Sequence, residues 1–312
     1  MRFIIIILNR IKNIMLLKFM IIIKIQGGLG NQLFQYALGR NIAYLNNTIL
    51  KLDIRGYFNQ NSIDTPRKFG LDHFQTKKEI ASDLDIKKIC SNGIDNSILQ
   101  SIKGLFTHSN PPNYFQEKTP NFDPSVLSIP DNSYLNGYWG SEKYFKNIES
   151  IIREDLKIKT PLIDKNLKYS EKIASCESVS LHIRRGDYVN NPKTQEFHGN
   201  CTLQYYYDAV NLLTSKIENP HFFVFSDDCA WAKHNLKLDF PIFFIDFNGE
   251  ENDFEDLRLM SLCKSHIIAN STFSWWGAWL STNNSKIIIC PKRWLNKPEV
   301  FPNIYPDSWI RL

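Results

Sequence analysis

The chain has few cysteines, and none of them is spaced for metal binding. Its 312 residues contain six cysteines, and no two stand in a CxxC arrangement. Several lie in apolar runs such as "IIICP" at residues 287–291. This spacing excludes a zinc site of the paired-cysteine kind, and we expect reduced, buried thiols in a cytoplasmic protein.

A hydrophobic run long enough to span a membrane is also missing. The first 26 residues are rich in isoleucine, but polar or basic residues interrupt them at five positions: Asn9, Arg10, Lys12, Asn13 and Lys18. A span needs about 18 consecutive apolar residues, and no signal-peptide cleavage site follows. We interpret residues 1–18 as an extension. It is either a helix in peripheral contact with the inner face of the membrane, or residues translated upstream of a start at Met15 or Met20.

The charge balance excludes one large class of partner. The chain carries a formal net charge of +5, and its composition is 43% hydrophobic and 22% charged. The lysines and arginines are scattered rather than gathered in a stripe, so we expect no nucleic-acid partner. A length of 312 residues is typical of two domains in a globular protein.

Apolar strands alternating with amphipathic helices dominate what is present. We predict strands at 19–26, 48–54, 133–139, 178–183, 221–226, 241–245, 266–269 and, as the last, 286–290. Helices are predicted at 31–47, 141–156, 203–217, 229–236, 253–264 and 273–281, whereas residues 56–130 are interpreted as irregular.

This alternation is typical of a doubly wound parallel sheet. The fold class is therefore α/β, with two Rossmann-like halves facing a cleft. We place an N-terminal extension at 1–18, an N-terminal α/β domain at 19–157, and a C-terminal Rossmann-like domain at 158–312. The best linker candidate is "KIKTPLIDKN" at 157–166.

A glycine-rich turn follows the first predicted strand. Gly28 and Gly30 stand as in a dinucleotide-binding fingerprint, and Asp53 ends the next strand where a ribose-binding acid is expected. The third glycine position is occupied by Leu33, and the helix begins with the polar pair Asn31 and Gln32. Three interpretations stay open: nicotinamide binding, a structural turn, or a turn that presents amides to another polar ligand.

The stretch "SVSLHIRRGDYV" ends a strand with two arginines. Because strand side chains alternate, His182 and Arg184 share one face, and Arg185 lies on the other. An arginine at the carboxyl end of a strand suits a diphosphate, and Asp187 could orient it or take a proton. The competing interpretation is a structural arginine–aspartate salt bridge.

A further cluster of small polar residues lies in "HIIANSTFSWWGAWLS". Asn270, Ser271, Thr272 and Ser274 crowd a strand-to-helix turn, where hydroxyls and free N–H groups can bind an anion without a metal. Simple N-capping would need only one of them. The tryptophans that follow are interpreted as core. Asp227 and its neighbour Asp228 follow another strand, as a ribose or base contact or as a helix cap.

Four of these motifs together resemble the bacterial α-1,2-fucosyltransferases of glycosyltransferase family 11. They are "GGLGNQLFQYA" at 27–37, "LHIRRGDYV" at 181–189, "FVFSDD" at 223–228 and "IIANSTFSWWGAWL" at 267–280, in the family's order. The resemblance implies a two-domain fold of the glycosyltransferase-B (GT-B) kind and GDP-β-L-fucose as the donor. It also implies inversion at the anomeric carbon, without a metal or other cofactor.

The resemblance also implies roles for individual residues. Arg184 would hold the β-phosphate, with His182 and Asp187 beside it. The other donor-binding candidates are Gly28, Gly30, Asn31, Gln32, Asp227, Asn270, Ser271, Thr272 and Ser274, with Asp227 towards the nucleoside. A galactose-containing glycan would be the acceptor, in surface polysaccharide or O-antigen synthesis. Asp187, His182 and Glu142 are candidates for the base. A nicotinamide oxidoreductase and a non-catalytic glycan-binding module are the rival functions.

Overall fold

Two parallel sheets form the framework of the protein. The computed structural model describes residues 19–58, 66–90, 112–186, 199–296 and 304–312. Within these residues, the first sheet has five strands in the order β3-β2-β1-β5-β4, and the second has six in the order β11-β10-β9-β6-β7-β8. The α/β class is confirmed.

The N-terminal sheet is built around a strand that is almost entirely isoleucine. The strands are β1 Met20–Lys24, β2 Ile49–Asp53, β3 Glu79–Ile80, β4 Tyr114–Gln116 and β5 Ser133–Asn136. The first four residues of β1 are buried, as expected of a parallel strand covered on both faces. The helices of this half are α1 Leu29–Leu45, α2 Asp83–Cys90 and α3 Glu149–Asp155.

The C-terminal sheet follows the same plan. Its strands are β6 Glu177–Ile183, β7 Pro220–Ser226, β8 Ile242–Ile245, β9 Ser265–Ile267, β10 Ile288–Cys290 and β11 Ile310–Arg311. The accompanying helices are α4 Asp164–Ala174, α5 Leu203–Thr214, α6 Cys229–Asn235, α7 Asp253–Leu262 and α8 Thr272–Leu280. Six of the seven β6 residues are buried, because this strand is central to the sheet.

Each sheet has a point where the order of its strands reverses. From β6 the chain moves to β7 and β8 on one side, and β9 and β10 lie on the other. In the N-terminal sheet, β2 and β3 lie on one side of β1, and β5 and β4 on the other. Connections leave such a point in opposite directions, and a crevice opens at the carboxyl ends of the strands, where ligands of open α/β sheets bind.

The two halves are joined by an aromatic seam, in which α1 packs against α8. The ring of Phe34 lies 4.5 Å from Trp275 and 5.0 Å from Trp276, centroid to centroid. Arg153 donates to the carbonyl of Trp279 at 2.7 Å and lies over its ring at 4.2 Å. The tryptophans are core residues, as predicted, but the core they belong to is shared by both halves.

The single helix predicted at 141–156 is wrong. Ser141 caps a short 3-10 turn at Glu142–Tyr144, a second turn spans Lys146–Ile148, and only then does α3 begin. The break falls at Phe145, whose backbone φ is −143°. Its fully buried ring packs on Phe34 and Trp276 of the seam, so tertiary packing overrides the local helical pattern.

Three further expectations need correction. Within 56–130, predicted irregular, the structure forms β3, α2 and β4. The predicted linker at 157–166 runs into α4, a polar helix in which Ile173 is the buried residue. Strand β10 is not the last, because β11 pairs parallel to it.

All strands of the first sheet precede the predicted domain boundary between residues 157 and 158, and all strands of the second sheet follow it. The exact position of the boundary stays a prediction. The extension at 1–18 lies outside the described residues. None of the helices in the described part of the chain has the length and apolar character that crossing a membrane requires.

Candidate active site

The carboxyl end of β6 carries an arginine beside the crevice. Arg184 directly follows the strand, and its Nη1 lies 3.1 Å from Oδ2 of Asp227 at the end of β7. The same carboxylate accepts from the backbone N–H groups of Arg185 at 2.8 Å and Gly186 at 2.9 Å. Asp227 therefore fixes both the turn after β6 and the guanidinium. Arg184 is about one-fifth exposed and can still reach a ligand.

His182 lies behind this arginine and is almost completely buried. Burial lowers its pKa to about 4; the Asp227 carboxylate raises this pKa and the Arg184 guanidinium lowers it further. The imidazole is therefore neutral near pH 7. Its Nδ1 has no hydrogen-bond partner among the described residues. Its ring centroid is 5.9 Å from that of Phe273 in α8, a neighbour that the sequence pattern did not single out.

Arg185 has different partners from Arg184. Its Nε lies 3.4 Å from Asp228, and its guanidinium stacks 3.7 Å above the ring of Trp231. Asp228 also accepts from the Trp231 N–H, so it is the N-cap of α6. The helix-cap interpretation thus belongs to Asp228, and Asp227 makes a different set of contacts. Arg185 is held by structural contacts on the α6 side.

The start of α8 lies against the start of α1. A Cβ on Gly30 would lie 2.4 Å from the carbonyl carbon of Thr272 and 2.5 Å from the Phe273 nitrogen, so only glycine permits this approach. The Thr272 hydroxyl donates to Oδ1 of Asn31 at 2.9 Å across the seam. Asn31 and Thr272, predicted independently from two motifs 241 positions apart, are direct partners.

These contacts bring positive potential to one place. Gly28, the N-cap residue of α1, has no side chain to cap the helix, and the Ser271 side chain at the N-cap of α8 makes no capping hydrogen bond. A helix N-terminus carries about half a positive charge, and its first N–H groups need acceptors. Strands β6 and β9 pair in parallel with Leu181 opposite Ile267, so their carboxyl ends adjoin. Two helix N-termini and a guanidinium are groups that bind anions in proteins, so this edge is the candidate anion site.

Other predicted donor contacts are occupied by the protein itself. The buried Gln32 amide donates to Gly27 and Lys68 carbonyls and accepts from the Gly70 N–H. Asn270 donates to the carbonyls of Gly199 and Trp294, and the Ser274 hydroxyl donates to the Ser271 carbonyl. The structure gives these three side chains the role of shaping the turns. Gly28 faces open space, because a Cβ there would meet no atom within 4 Å.

The acid expected to bind a ribose is already neutralised. Both carboxylate oxygens of Asp53 accept from the Arg55 guanidinium at 2.9 Å, and Oδ2 also accepts from the Tyr134 hydroxyl at 2.7 Å. Asp53 is 4% exposed. The structure therefore speaks against a nicotinamide dinucleotide at the glycine turn.

The base has no settled candidate in this geometry. Asp187 lies outside the described residues. Glu142 accepts from the Trp279 indole at 3.2 Å and pairs with Lys146 at 3.3 Å, which ties it to the seam. Among the described residues, no group of three or more histidine, cysteine or acidic side chains is placed to hold a metal ion.

Two parallel sheets with helices between their strands, joined by a seam of packed helices, are the architecture of glycosyltransferases of the GT-B type. The fold places the protein in that class. The chain belongs to the family described as Glycosyl transferase family 11, whose model matches residues 20–312. The resemblance drawn from the four motifs is confirmed.

Two relatives from Escherichia coli match nearly the whole chain. An alpha-1,2-colitosyltransferase is 35% identical over 302 residues, covering 94% of this chain and 98% of the relative. The O-antigen biosynthesis glycosyltransferase WbnK is 33% identical over 307 residues, covering 92% and 99%. A galactoside 2-alpha-L-fucosyltransferase from Caenorhabditis elegans is 29% identical over 211 residues, covering 61% of this chain and 56% of the relative.

Proposed function

We propose that this enzyme transfers L-fucose from GDP-β-L-fucose to the 2-hydroxyl of a galactoside, with inversion to an α-1,2 linkage. The observation that carries the proposal is the convergence of Arg184 with the uncapped N-termini of α1 and α8. That site suits the diphosphate of a sugar nucleotide. Among the three relatives described above, the α-1,2 linkage is named for the colitosyltransferase and for the nematode fucosyltransferase, and a galactoside acceptor for the latter.

The charges of the site match the charge that develops during transfer. As the bond between the fucose C1 and the diphosphate oxygen breaks, its electron pair stays on the GDP and the sugar becomes cationic. Donors that are already oriented stabilise the new negative charge without further reorganisation. In our proposal Arg184 and the first N–H groups of α8 supply them, and Asp227 keeps the guanidinium in place. The acceptor oxygen attacks C1 from the opposite face and loses its proton to a base.

The second candidate is a different sugar on the same kind of donor. The E. coli relative that is 35% identical is a colitosyltransferase, and colitose is fucose without its 3-hydroxyl. Both sugars suit an anion site that recognises the diphosphate, so the anion site does not separate them. The relative named for O-antigen biosynthesis supports a surface polysaccharide as the acceptor. We propose that the reaction takes place at the cytoplasmic side of the membrane.

The test is to measure GDP release from GDP-fucose and from GDP-colitose across a panel of β1,3- and β1,4-linked galactosides. We expect acceptor-dependent release from GDP-fucose and an NMR spectrum of the product that shows an α-1,2 linkage. Preference for GDP-colitose would change the donor and keep the mechanism. Folded protein that releases no GDP from either donor would contradict the proposal, and NADH binding or acceptor binding without turnover would support one of the rival functions.

A further inference from the structure

A cavity lies at the carboxyl edge of the N-terminal sheet, on the side of its edge strand β4. It has a volume of about 200 Å³ and lies beyond the ends of β4 and β5. Its lining includes Glu117, Thr119, Trp139 and Tyr144. None of these residues belongs to the anion site described above.

The carboxylate in this cavity is held by backbone donors. Oε2 of Glu117 accepts from the Tyr138 N–H at 2.6 Å, and Oε1 accepts from the Trp139 N–H at 2.9 Å. Each oxygen keeps a lone pair for another donor. Burial raises the pKa of this carboxyl, although the two N–H groups lower it. The Glu117 side chain lies very close to the backbone of Gly137, because a Cβ on Gly137 would be 2.3 Å from it.

The indole in this cavity is in an unusual state. Trp139 is 2% exposed, and its backbone φ of +57° is a left-handed conformation that a bulky residue rarely adopts. Its Nε1–H finds no acceptor among the described residues. A buried donor without a partner is costly, and strained backbone persists where the surroundings enforce it, often at ligand sites. Both observations show that the surroundings hold Trp139 in place at the wall of the cavity.

The lining defines the chemistry of that ligand. Aromatic rings offer apolar faces: Trp139 packs edge-on against Tyr144 with centroids 5.9 Å apart, and Phe115 also lines the cavity. Glu117 and Asp123 offer acceptors and Lys118 offers a donor, so the lining carries charges of both signs and matches no strongly charged ligand. A neutral molecule with hydroxyl groups and an apolar face fits such a lining, and the cavity is small enough for about one sugar ring.

The cavity is connected to the seam through a short loop. Gly137 accepts from the Gln35 amide of α1 at 3.1 Å. Three residues further, Gly140 lies against Ile304, and Glu142 contacts Trp279 of α8. We propose that this cavity is a subsite for one neutral sugar ring of the acceptor glycan, on the side of the crevice opposite the anion site. This inference rests on the proposed glycosyl transfer.

The test uses one substitution and a matched control. Thr119→Trp, at an exposed position of the lining, should block the cavity without touching the core. Asn121→Trp places the same bulk two residues away, at an exposed position outside the lining. The assay measures KM for acceptor, KM for GDP-fucose, GDP release without acceptor, and Tm.

We expect Thr119→Trp to raise the KM of an oligosaccharide acceptor by about tenfold or more, since the new ring would occupy the space of the sugar. The donor KM, acceptor-free GDP release and the Asn121→Trp enzyme should stay as in the wild type. Normal donor turnover with an unchanged acceptor KM in Thr119→Trp would overturn the subsite and leave the proposed function standing. An equal rise in the donor KM would also overturn it. A wild-type enzyme that turns over no donor would refute the proposed function itself, and the acceptor assignment with it.

Discussion

The carboxyl edges of the two sheets share a topology and differ in chemistry. In both sheets the order of the strands reverses at one point. In each sheet one strand is followed by a helix that begins at the seam: α1 follows β1, and α8 follows β9. The C-terminal edge presents a guanidinium, hydroxyls and the N-terminus of α8, and the N-terminus of α1 adjoins it across the seam; all of these groups favour an anion. Farther along the N-terminal edge, the half-buried carboxylate of Glu117 and aromatic rings favour a neutral molecule with hydroxyl groups. The same fold can thus divide two substrates between its halves by side chain alone, and the comparison can be tested by disturbing one edge at a time.

The largest effect is expected at Arg184. Arg184→Ala removes the charge that meets the leaving diphosphate, and losing one such preorganised donor costs about 10²–10³ in rate. Arg184→Lys keeps the charge but loses the planar fork, so it should recover little. The measurement is GDP-fucose turnover together with thermal melting.

Arg185→Ala is the matched control for this prediction. Its contacts with Asp228 and Trp231 are structural, so we expect a smaller loss of turnover and a lower Tm. An Arg184→Ala enzyme that keeps more than about a tenth of wild-type turnover would show that another residue meets the diphosphate.

The second largest effect, on stability and turnover, is expected at Gly30, where the start of α1 contacts the start of α8. Gly30→Ala would force a Cβ to within 2.4 Å of the α8 backbone, so the two helix starts must separate. Overpacking of this kind costs about 1–3 kcal/mol in free energy of unfolding, and turnover should fall with it. Gly28→Ala is the control, because its Cβ would meet nothing within 4 Å and its φ is −74°. Equal melting temperatures for the two variants would contradict the close contact.

A smaller effect is expected on the stability of the protein in acid, through His266 in β9, the strand that pairs with β6. His266 is fully buried, and its Nδ1 lies 2.8 Å from the Ser180 hydroxyl. Burial lowers the pKa of His266 to about 3, with a further lowering from Lys286. The folded state therefore keeps this imidazole neutral, while the unfolded chain takes up a proton below about pH 6.5. The contribution of His266 to the free energy of unfolding is therefore fully present above that pH. It decreases as the pH falls, by about 2 kcal/mol at pH 5.

The measurement is urea unfolding at pH 7.5 and pH 5. His266→Gln should reduce the difference between the two pH values and leave the part that comes from His182, whose pKa burial also lowers. His234→Gln, at an exposed position, should leave the whole difference unchanged. An undiminished pH dependence in His266→Gln would locate the acid sensitivity elsewhere.

The smallest effect is expected from chelation. Two aspartates spaced as possible metal ligands, Asp83 and Asp85, are paired with Arg55 and Lys51, each at 2.9 Å. The candidate anion site is built from an arginine and helix N-termini. We therefore expect turnover to survive dialysis against EDTA. Loss of most activity, with recovery on addition of Mn²⁺, would show that a metal shares the leaving-group charge.

Local pattern predicted the parts of this protein that are regular. The isoleucine strand, the glycine turn and the β6 arginines could be read directly, because each has a strong local signal and a position at a strand end. The partnership of Asn31 with Thr272 could not, because it depends on how two distant helices approach. Gln32 was expected at the donor for its polarity, but an amide can equally well satisfy buried backbone groups.

The N-terminal edge was the least predictable part of the site. Strand β4 has only three residues, and it follows a stretch without a clear period. The sequence therefore gave no indication that Glu117 belongs to a site, other than that it is an acid after a short strand. Its significance comes from the backbone N–H groups of Tyr138 and Trp139, which belong to a different strand end.

The division of substrates between the two edges is tested most directly by calorimetric titration of GDP into the wild type, Arg184→Ala and Thr119→Trp. Our account predicts that the wild type and Thr119→Trp bind GDP with the same affinity. Arg184→Ala should bind it at least about tenfold more weakly, since a hydrogen bond to a charged group is worth about 1.5–3 kcal/mol. If Thr119→Trp weakened GDP binding as much as Arg184→Ala, or if Arg184→Ala bound GDP like the wild type, the assignment of the nucleotide to the C-terminal edge would be wrong.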